Sequence, residues 1–307
     1  MSTHARTFAI DGHTVTAEPV AAALHVVSTP IGNLGDVTLR ALRTLAAADV
    51  LAAEDTRHTR RLLDRYGIQA RAIAYHRHNE AQMGERLAGE IASGRSVALV
   101  SDAGTPLVSD PGQRLVALCR ERGLPVVPVP GASAPLAALV ASGLDTDAFT
   151  FAGFPPPKSV ARRAWLERWR AVPGTLVLFE APHRLADSLA DMAQVLGPRR
   201  AVVARELTKR HEEAPGGTLP DLAARYATEA PKGEIVVCIA PGEEASADPE
   251  AVLADLLATM PVSRAAGEAA RLTGRPKRDL YAMALAMNEA MREGTKEAMR
   301  EPTKEDE

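Results

Sequence analysis

The chain has 307 residues, too many for one compact module and suited to two domains of ordinary size, which run to about 100 to 200 residues each. Hydrophobic residues make up 46% and charged residues 24%, which excludes a disordered chain, and the longest apolar run, 135–144, falls well short of the roughly 18 residues of a membrane-spanning helix. Thirty-six Lys and Arg against 39 Asp and Glu leave a net charge of −3, and aromatic residues are only 4%; this withholds both the basic signature of a chain that wraps nucleic acid and a base-stacking platform.

Residues 1–22 carry Arg6, Asp11 and Glu18 and lack the apolar stretch of a secretory signal. They read as a flexible leader, and the chain as cytoplasmic. From 23 to 144, short β-branched runs alternate with helical patterns. Strands are expected over 24–29, 50–53, 72–75, 96–101 and 125–129, and helices over 37–47, 59–66, 80–93 and 112–122. That alternation predicts a mainly parallel sheet covered by helices. Cys119 and Cys238 give neither a disulfide framework nor metal-ligand spacing; both read as buried small hydrophobes, and no metal is expected.

Prolines and turn formers concentrate in LDTDAFTFAGFPPPK, 144–158, and place a boundary after 144. A smaller α/β unit of mixed strand directions follows over 145–241. Its strands are expected over 149–153, 175–180, 201–206 and 234–240, and its helices over 160–170, 184–196 and 219–228. Residues 242–248 read as a polar linker, 249–292 as a helical module of three helices, and the charged 293–307 as a disordered tail.

Three loops carry the chemistry of the first half. The strand 24–29 runs into Pro30, Ile31, Gly32, Asn33, Leu34, Gly35 and Asp36, a glycine-rich turn at the sheet edge where α/β proteins hold ligands. Its glycines stand three apart, which fits neither a dinucleotide fingerprint nor a P-loop. A β-to-α turn capped by Asp36 accounts for the same residues. The second loop, SDAGTPLVSDPG over 101–112, is tight and polar. Asp110 before Pro111 is partly a helix-start signal, whereas Asp102 has no such role and sits where a strand delivers side chains to a cleft. The third, PVPGASAP over 128–135, lets backbone approach a flat ligand closely, or is simply a proline-rich turn. All three converge on one crevice by topology.

Basic residues gather in three places, each with two readings. In EDTRHTRR, 54–61, Arg57 and Arg60 either solvate a capped helix or face substrate phosphates. Lys158, Arg162 and Arg163 beside the triple proline either clamp a strand of RNA or solvate a helix face. Ser263, Gly274 and Pro276 mark a helix-turn-helix pattern, with Arg275, Lys277 and Arg278 where such motifs touch nucleic acid; a packed hairpin for dimer contacts is the alternative.

Taken together, TPIGNLGD, AAEDTRHTRRLL, SDAGTPLVSDPG, PGASA, VLFEAPHR and ARELTK resemble the ribosomal RNA small subunit methyltransferase I group of the tetrapyrrole methylase superfamily. The resemblance runs from about 24 to 241 and resumes in the helical tail. It implies a non-Rossmann, class III methyltransferase of two α/β domains with a small helix-turn-helix-like module, homodimeric, binding S-adenosyl-L-methionine in the interdomain cleft. The implied reaction is 2′-O-methylation of a cytidine ribose in 16S ribosomal RNA, as part of the small ribosomal subunit. Carried onto this chain, cofactor contacts are expected from Pro30, Gly32, Asn33, Asp102, Ala103, Gly104, Thr105, Pro106, Ser133, Ala134 and Glu180.

A sulfonium cation and an amino group want fixed carbonyls and carboxylates rather than a lysine-rich phosphate cradle, and Asp102 is the best candidate carboxylate. A ribose hydroxyl is a weak nucleophile that a general base helps. Lys209 and Glu206 are the expected catalytic residues, one or the other activating that hydroxyl; Lys209 could instead lower its proton affinity or hold a phosphate, and each also has a structural reading as an ion-pair partner. His183 and Arg184 either face the RNA or begin a helix. Two other classes stay open: a small-molecule methylase of the corrinoid or sirohaem type, and a ligand-sensing DNA-binding regulator. The three basic groups and the helical tail favour RNA, bound through limited patches.

Overall fold

The computed structural model describes residues 6–242, 249–273 and 276–298, with the side chains of 272 and 290–298 left out. The chain divides into two units, Met1–Ala240 and Pro241–Glu307. The larger unit opens with a hairpin, β1 (Thr7–Ile10) and β2 (His13–Thr16), paired antiparallel. Its turn is Asp11-Gly12, with both residues at positive φ, the dipeptide and geometry that suit the twist of a two-residue hairpin. Phe8 is 2% exposed and joins a cluster with Leu42, Leu45, Leu63 and Ile68. The expected flexible leader is therefore corrected over 7–16. Residues 1–5 lie outside the described residues.

Five parallel strands form the first sheet in the order β5-β4-β6-β3-β7: β3 (Leu24–Val27), β4 (Val50–Ala53), β5 (Ala72–Ala74), β6 (Val97–Val100) and β7 (Val126–Val129). Apolar runs such as VALV in β6 are buried throughout, as strands covered on both faces must be. Helices α1 (Leu39–Ala47) and α2 (Thr56–Arg65) share one core with the hairpin, while α3 (Glu80–Ala92) and α4 (Gln113–Glu121) build another around Leu87, Leu115 and Cys119. Helix α1 is capped by Thr38, whose hydroxyl accepts from Ala41 N at 3.1 Å, and not by Asp36. Strands β3, β6 and β7 are neighbours, so the three loops that leave their C-terminal ends lie side by side.

The second sheet is mixed, as expected, in the order β11-β10-β12-β9-β8. Only β8 (Phe149–Gly153) and β9 (Thr175–Glu180) run parallel; β10 (Arg200–Arg205), β11 (Gly216–Thr218) and β12 (Ile235–Ile239) pair antiparallel. Helices α6 (Ser159–Glu167), α7 (Leu185–Leu196) and α8 (Leu219–Thr228) share one core with it. The opposite core is closed from the first half of the chain, by Ile31 and by Ala138 and Leu139 of helix α5 (Ala134–Ser142), against Val177, Val236 and Cys238.

The smaller unit is helical: α9 (Pro249–Leu257), α10 (Val262–Thr273) and α11 (Lys277–Ala298), packed through Leu253, Ala266, Ala269, Leu280 and Ala284. Helix α11 runs past 292, where disorder was expected, because Glu, Ala, Met and Lys in 289–298 are good helix formers. Residues 299–307, and 243–248 of the expected linker, lie outside the described residues. Phe8→Ala is expected to destabilise the larger unit by about 3 to 5 kcal/mol, the cost of a large buried ring, measured by denaturant unfolding; a truly loose leader would leave the midpoint unchanged.

Candidate active site

Thr29 N donates to Gly104 O at 2.8 Å and Gly104 N returns a bond to Thr29 O at 3.0 Å, locking the loop after β3 to the loop after β6. The Ser28 and Thr105 hydroxyls lie 3.0 Å apart, and Thr105 Oγ1 donates to Ala132 O at 3.3 Å, which adds the loop after β7. Gly104 sits at φ +72, where a side chain would be strained and its Cβ would meet Ile31 at 3.3 Å. On the opposite wall, Asn33 N donates to Thr208 Oγ1 at 3.1 Å. A Cβ on Gly32 would fall 2.6 Å from Lys209 Cγ, so the glycine lets the first sheet's loop close onto the loop after β10.

Two adjoining cavities result. The larger, about 400 Å³, has Gly104, Thr105, Ser133 and Ala134 on one side and Phe154, Phe179, Ile235 and Val236 on the other. The smaller, about 330 Å³, is lined by Pro30, Gly32, His58, Thr59, Arg61 and Lys209. Ile31, Asp102, Ala103 and Glu234 line both, and so mark the junction. Volumes of this size suit a small ligand or a nucleotide.

The junction is acidic on the side of the first sheet. Asp102 Oδ1 accepts from Asp55 N at 3.0 Å. Burial, with Asp110 and Asp102 nearby, raises Glu54 above the ordinary carboxylate range; burial and Asp102 raise Asp110, against a hydrogen bond from Ser101 and the charge of Arg77. Asp110 is not a cap, since α4 begins after Gly112, so its expected capping role is corrected. It lines the larger cavity with Asp102.

On the second sheet's side, Lys209 Nζ donates to Glu206 Oε1 at 2.8 Å and to Glu234 Oε2 at 3.1 Å, while Glu234 N also donates to Glu206 Oε1 at 3.0 Å. The Lys209 ammonium and that amide hold Glu206 below its usual range. Burial pulls Lys209 down, but the two carboxylates outweigh it and its pKa is raised. Lys209 therefore keeps its proton at neutral pH, which favours the expected alternative in which it lowers the proton affinity of the hydroxyl or holds a phosphate.

Most expected cofactor residues reach the cavities, with two exceptions. Pro106 is buried and lines neither. Asn33 is exposed and accepts from Gly35 N at 3.0 Å, capping a short 3-10 turn. Glu180 lines the larger cavity, but its buried carboxylate takes bonds from Ala181 N, Arg184 and Ser188.

The expected RNA contacts fare unevenly. Arg57 is 90% exposed and paired with Asp55 at 2.8 Å, and Arg60 is paired with Asp64 at 2.6 Å. Arg162 is 3% exposed and bound to Asp191 at 2.6 Å, also donating to Pro157 O at 3.2 Å, so it anchors the proline loop from within and cannot clamp RNA. Arg163 shares Asp191 at 3.3 Å. Arg184 is turned inward to Glu180 at 2.7 Å, whereas Lys158 and His183 are exposed. In the smaller unit Lys277 and Arg278 are exposed at the start of α11; Arg275 lies outside the described residues. Glu54, His58, Arg61, Asp110 and Glu234 were not expected at the site. His58 and Arg61 stand three residues apart on α2, a helical spacing that offers a sequence signal for a shared face; Glu234 and Glu54 offered none beyond lying at strand ends.

Residues 23–223 match the family Tetrapyrrole (Corrin/Porphyrin) Methylases, and 243–288 match the RsmI C-terminal HTH domain. The chain is 55% identical over 285 residues to the ribosomal RNA small subunit methyltransferase I of Mesorhizobium japonicum, covering 91% of this chain and 97% of the relative. It is 48% identical to the protein of that name from Escherichia coli O157:H7, covering 85% and 94%. A crystal structure of diphthine synthase, 17% identical, shares the fold with a TM-score of 0.54 over 71% of this chain and 89% of that one. Arg162→Ala leaves the buried Asp191 carboxylate to Ser159 and the more exposed Arg163 and is expected to cost about 3 kcal/mol in unfolding free energy. Lys158→Ala should leave the unfolding free energy within about 0.5 kcal/mol of the parent, read from the same denaturation curves.

Proposed function

The chain belongs to the tetrapyrrole methylase family, with its two-sheet α/β fold and a C-terminal helix-turn-helix unit, and from that membership we propose that it methylates small-subunit ribosomal RNA. In this reading S-adenosylmethionine is the methyl donor and the 2′-hydroxyl of a cytidine ribose the acceptor. The observation that carries it is the pair of cavities meeting at Asp102 and Glu234: one has apolar walls and an acidic end, the other cationic residues.

The residues of the larger cavity fit the cofactor. Phe154, Phe179, Ile235 and Val236 offer apolar walls to a purine, while Asp102 and Asp110 supply negative charge for an amino group and a sulfonium. When bound, S-adenosylmethionine supplies an electrophilic methyl group on a cationic sulfur. The interlocked loops position the reacting groups, and much of the acceleration of an in-line transfer comes from such alignment.

Lys209 and Glu206 remain the proposed catalytic pair. Lys209 Nζ, held protonated beside the junction, stabilises negative charge developing on the acceptor oxygen. Glu206 fixes its direction, and Gly233 leaves room for that carboxylate, since a Cβ there would lie 2.2 Å from Glu206 Oε1. Exposed Lys158, His183, Lys277 and Arg278 are proposed contacts with RNA.

A homodimer is part of the reading. Helix α5 is apolar on its outer side as well as its inner one, with Leu136 50% and Val140 79% exposed, and a second copy would cover it. No helix among the described residues is long and apolar enough to cross a membrane, and the cytoplasm, where ribosomes assemble, is the proposed location.

Labelled S-adenosylmethionine offered with small ribosomal subunits, naked ribosomal RNA and a tetrapyrrole precursor tests the reading; label only in the tetrapyrrole would overturn it. Asp102→Ala is expected to weaken cofactor binding by about tenfold or more, as loss of a charged partner does. Because Glu54 and Asp110 are raised, they take up protons at higher pH than free carboxylates do. Cofactor affinity, followed by calorimetry from pH 8 down to 5, should fall earlier than the titration of an exposed acid. Val140→Glu should shift sedimentation toward the monomer.

A further inference from the structure

We infer that the smaller cavity is an anion site for a backbone phosphodiester next to the acceptor ribose, with Arg61 as its charged partner and Thr59 and His58 beside it. The inference rests on the reading of the chain as a ribosomal RNA methyltransferase and goes beyond it by naming which residues hold the strand. Its first support is electrostatic. Among the arginines of α2, Arg57 pairs with Asp55, Arg60 pairs with Asp64 and Arg65 does not line the cavity. Arg61 lines the cavity and has no hydrogen-bond or ion-pair partner among the described residues.

The second support is independent. Thr59 is 4% exposed, lines the same cavity, and its hydroxyl has no partner, a state that costs free energy unless a ligand completes it. A guanidinium with a free hydroxyl and an imidazole matches a phosphate's several acceptor oxygens. The junction end of the cavity is lined by Asp102, Glu234 and Lys209, whose ammonium is already shared by Glu234 and Glu206; the carboxylates outnumber it, which disfavours a phosphate there and suits a sugar hydroxyl. The cavity is thus polarised along its length, and a nucleotide enters it in one orientation: phosphate against α2, ribose against the junction.

A carboxylate could also meet Arg61, and the cofactor carries one, so the test separates the two sources. Methyl transfer to small ribosomal subunits is measured against subunit concentration at several salt concentrations, and S-adenosylmethionine affinity by calorimetry. The variants are Arg61→Ala, Arg61→Lys, Thr59→Val and, as a control, Arg95→Ala, which removes a surface pair with Glu90 at the opposite end of the sheet. Arg61→Ala should raise KM for subunits about tenfold with kcat little changed, and flatten the salt dependence by about one unit of slope. Arg61→Lys should recover part of the loss. Thr59→Val should raise KM about threefold without lowering the denaturation midpoint, because the hydroxyl it removes is unpaired. Cofactor affinity should hold in all of them. An unchanged KM in Arg61→Ala, or a parallel loss of cofactor affinity, overturns the inference. Absence of transfer by the parent protein would instead overturn the functional reading on which it rests.

Discussion

Two hydrogen bonds between Thr29 and Gly104 decide where the rest of the cleft lies. They join loops from neighbouring parallel strands at the sheet edge, and everything beyond them is placed by that junction. Ile31 is thereby carried into the core of the second sheet, Gly32 slides under Lys209, and Asp102 is held at the meeting point of both cavities. Glycine at 104 favours that backbone pairing, because φ is +72 there and a Cβ would press on Ile31 at 3.3 Å. The active cleft is therefore a consequence of main-chain pairing, with side chains added to a frame that is already closed.

That frame explains why two sheets behave as one unit. Helix α5 precedes the second sheet in sequence yet closes one of its cores, and the loop after β3 reaches the loop after β10. Relative motion of the sheets would have to expose Ala138, Leu139, Val177 and Val236 together. The cleft is consequently preorganised, as suits a reaction whose rate depends on alignment.

Charge is divided between holding the fold and serving the cleft. Arg162 and Arg184 are spent on buried Asp191 and Glu180, and the surface arginines of α2 mostly answer carboxylates a few residues away. What remains for a polyanion is a small set among the described residues considered above: Arg61, Lys158 and Lys277, with Arg278 exposed but 3.5 Å from the Asp279 carboxylate. A net charge of −3 is compatible with RNA recognition on these terms, because binding needs a few correctly placed cations and not an excess.

The sequence by itself determined the two α/β layers, their parallel and mixed character, the three cofactor-type loops and the family, since periodicity, turn residues and motif strings are local properties. Even locally it was incomplete: Asp11-Gly12 between alternating residues is a hairpin signal that a reading for signal peptides passes over. Only the tertiary structure decided which charges are available. Asp191 lies 29 residues from Arg162, and nothing in either segment announces the partner. The same holds for Glu234, 25 residues from the Lys209 it helps to hold as a cation, and for Glu54 and Asp110, brought to Asp102 by adjacent strand ends. Charge state depends on burial and on neighbours distant in sequence, and both exist only once the chain has folded.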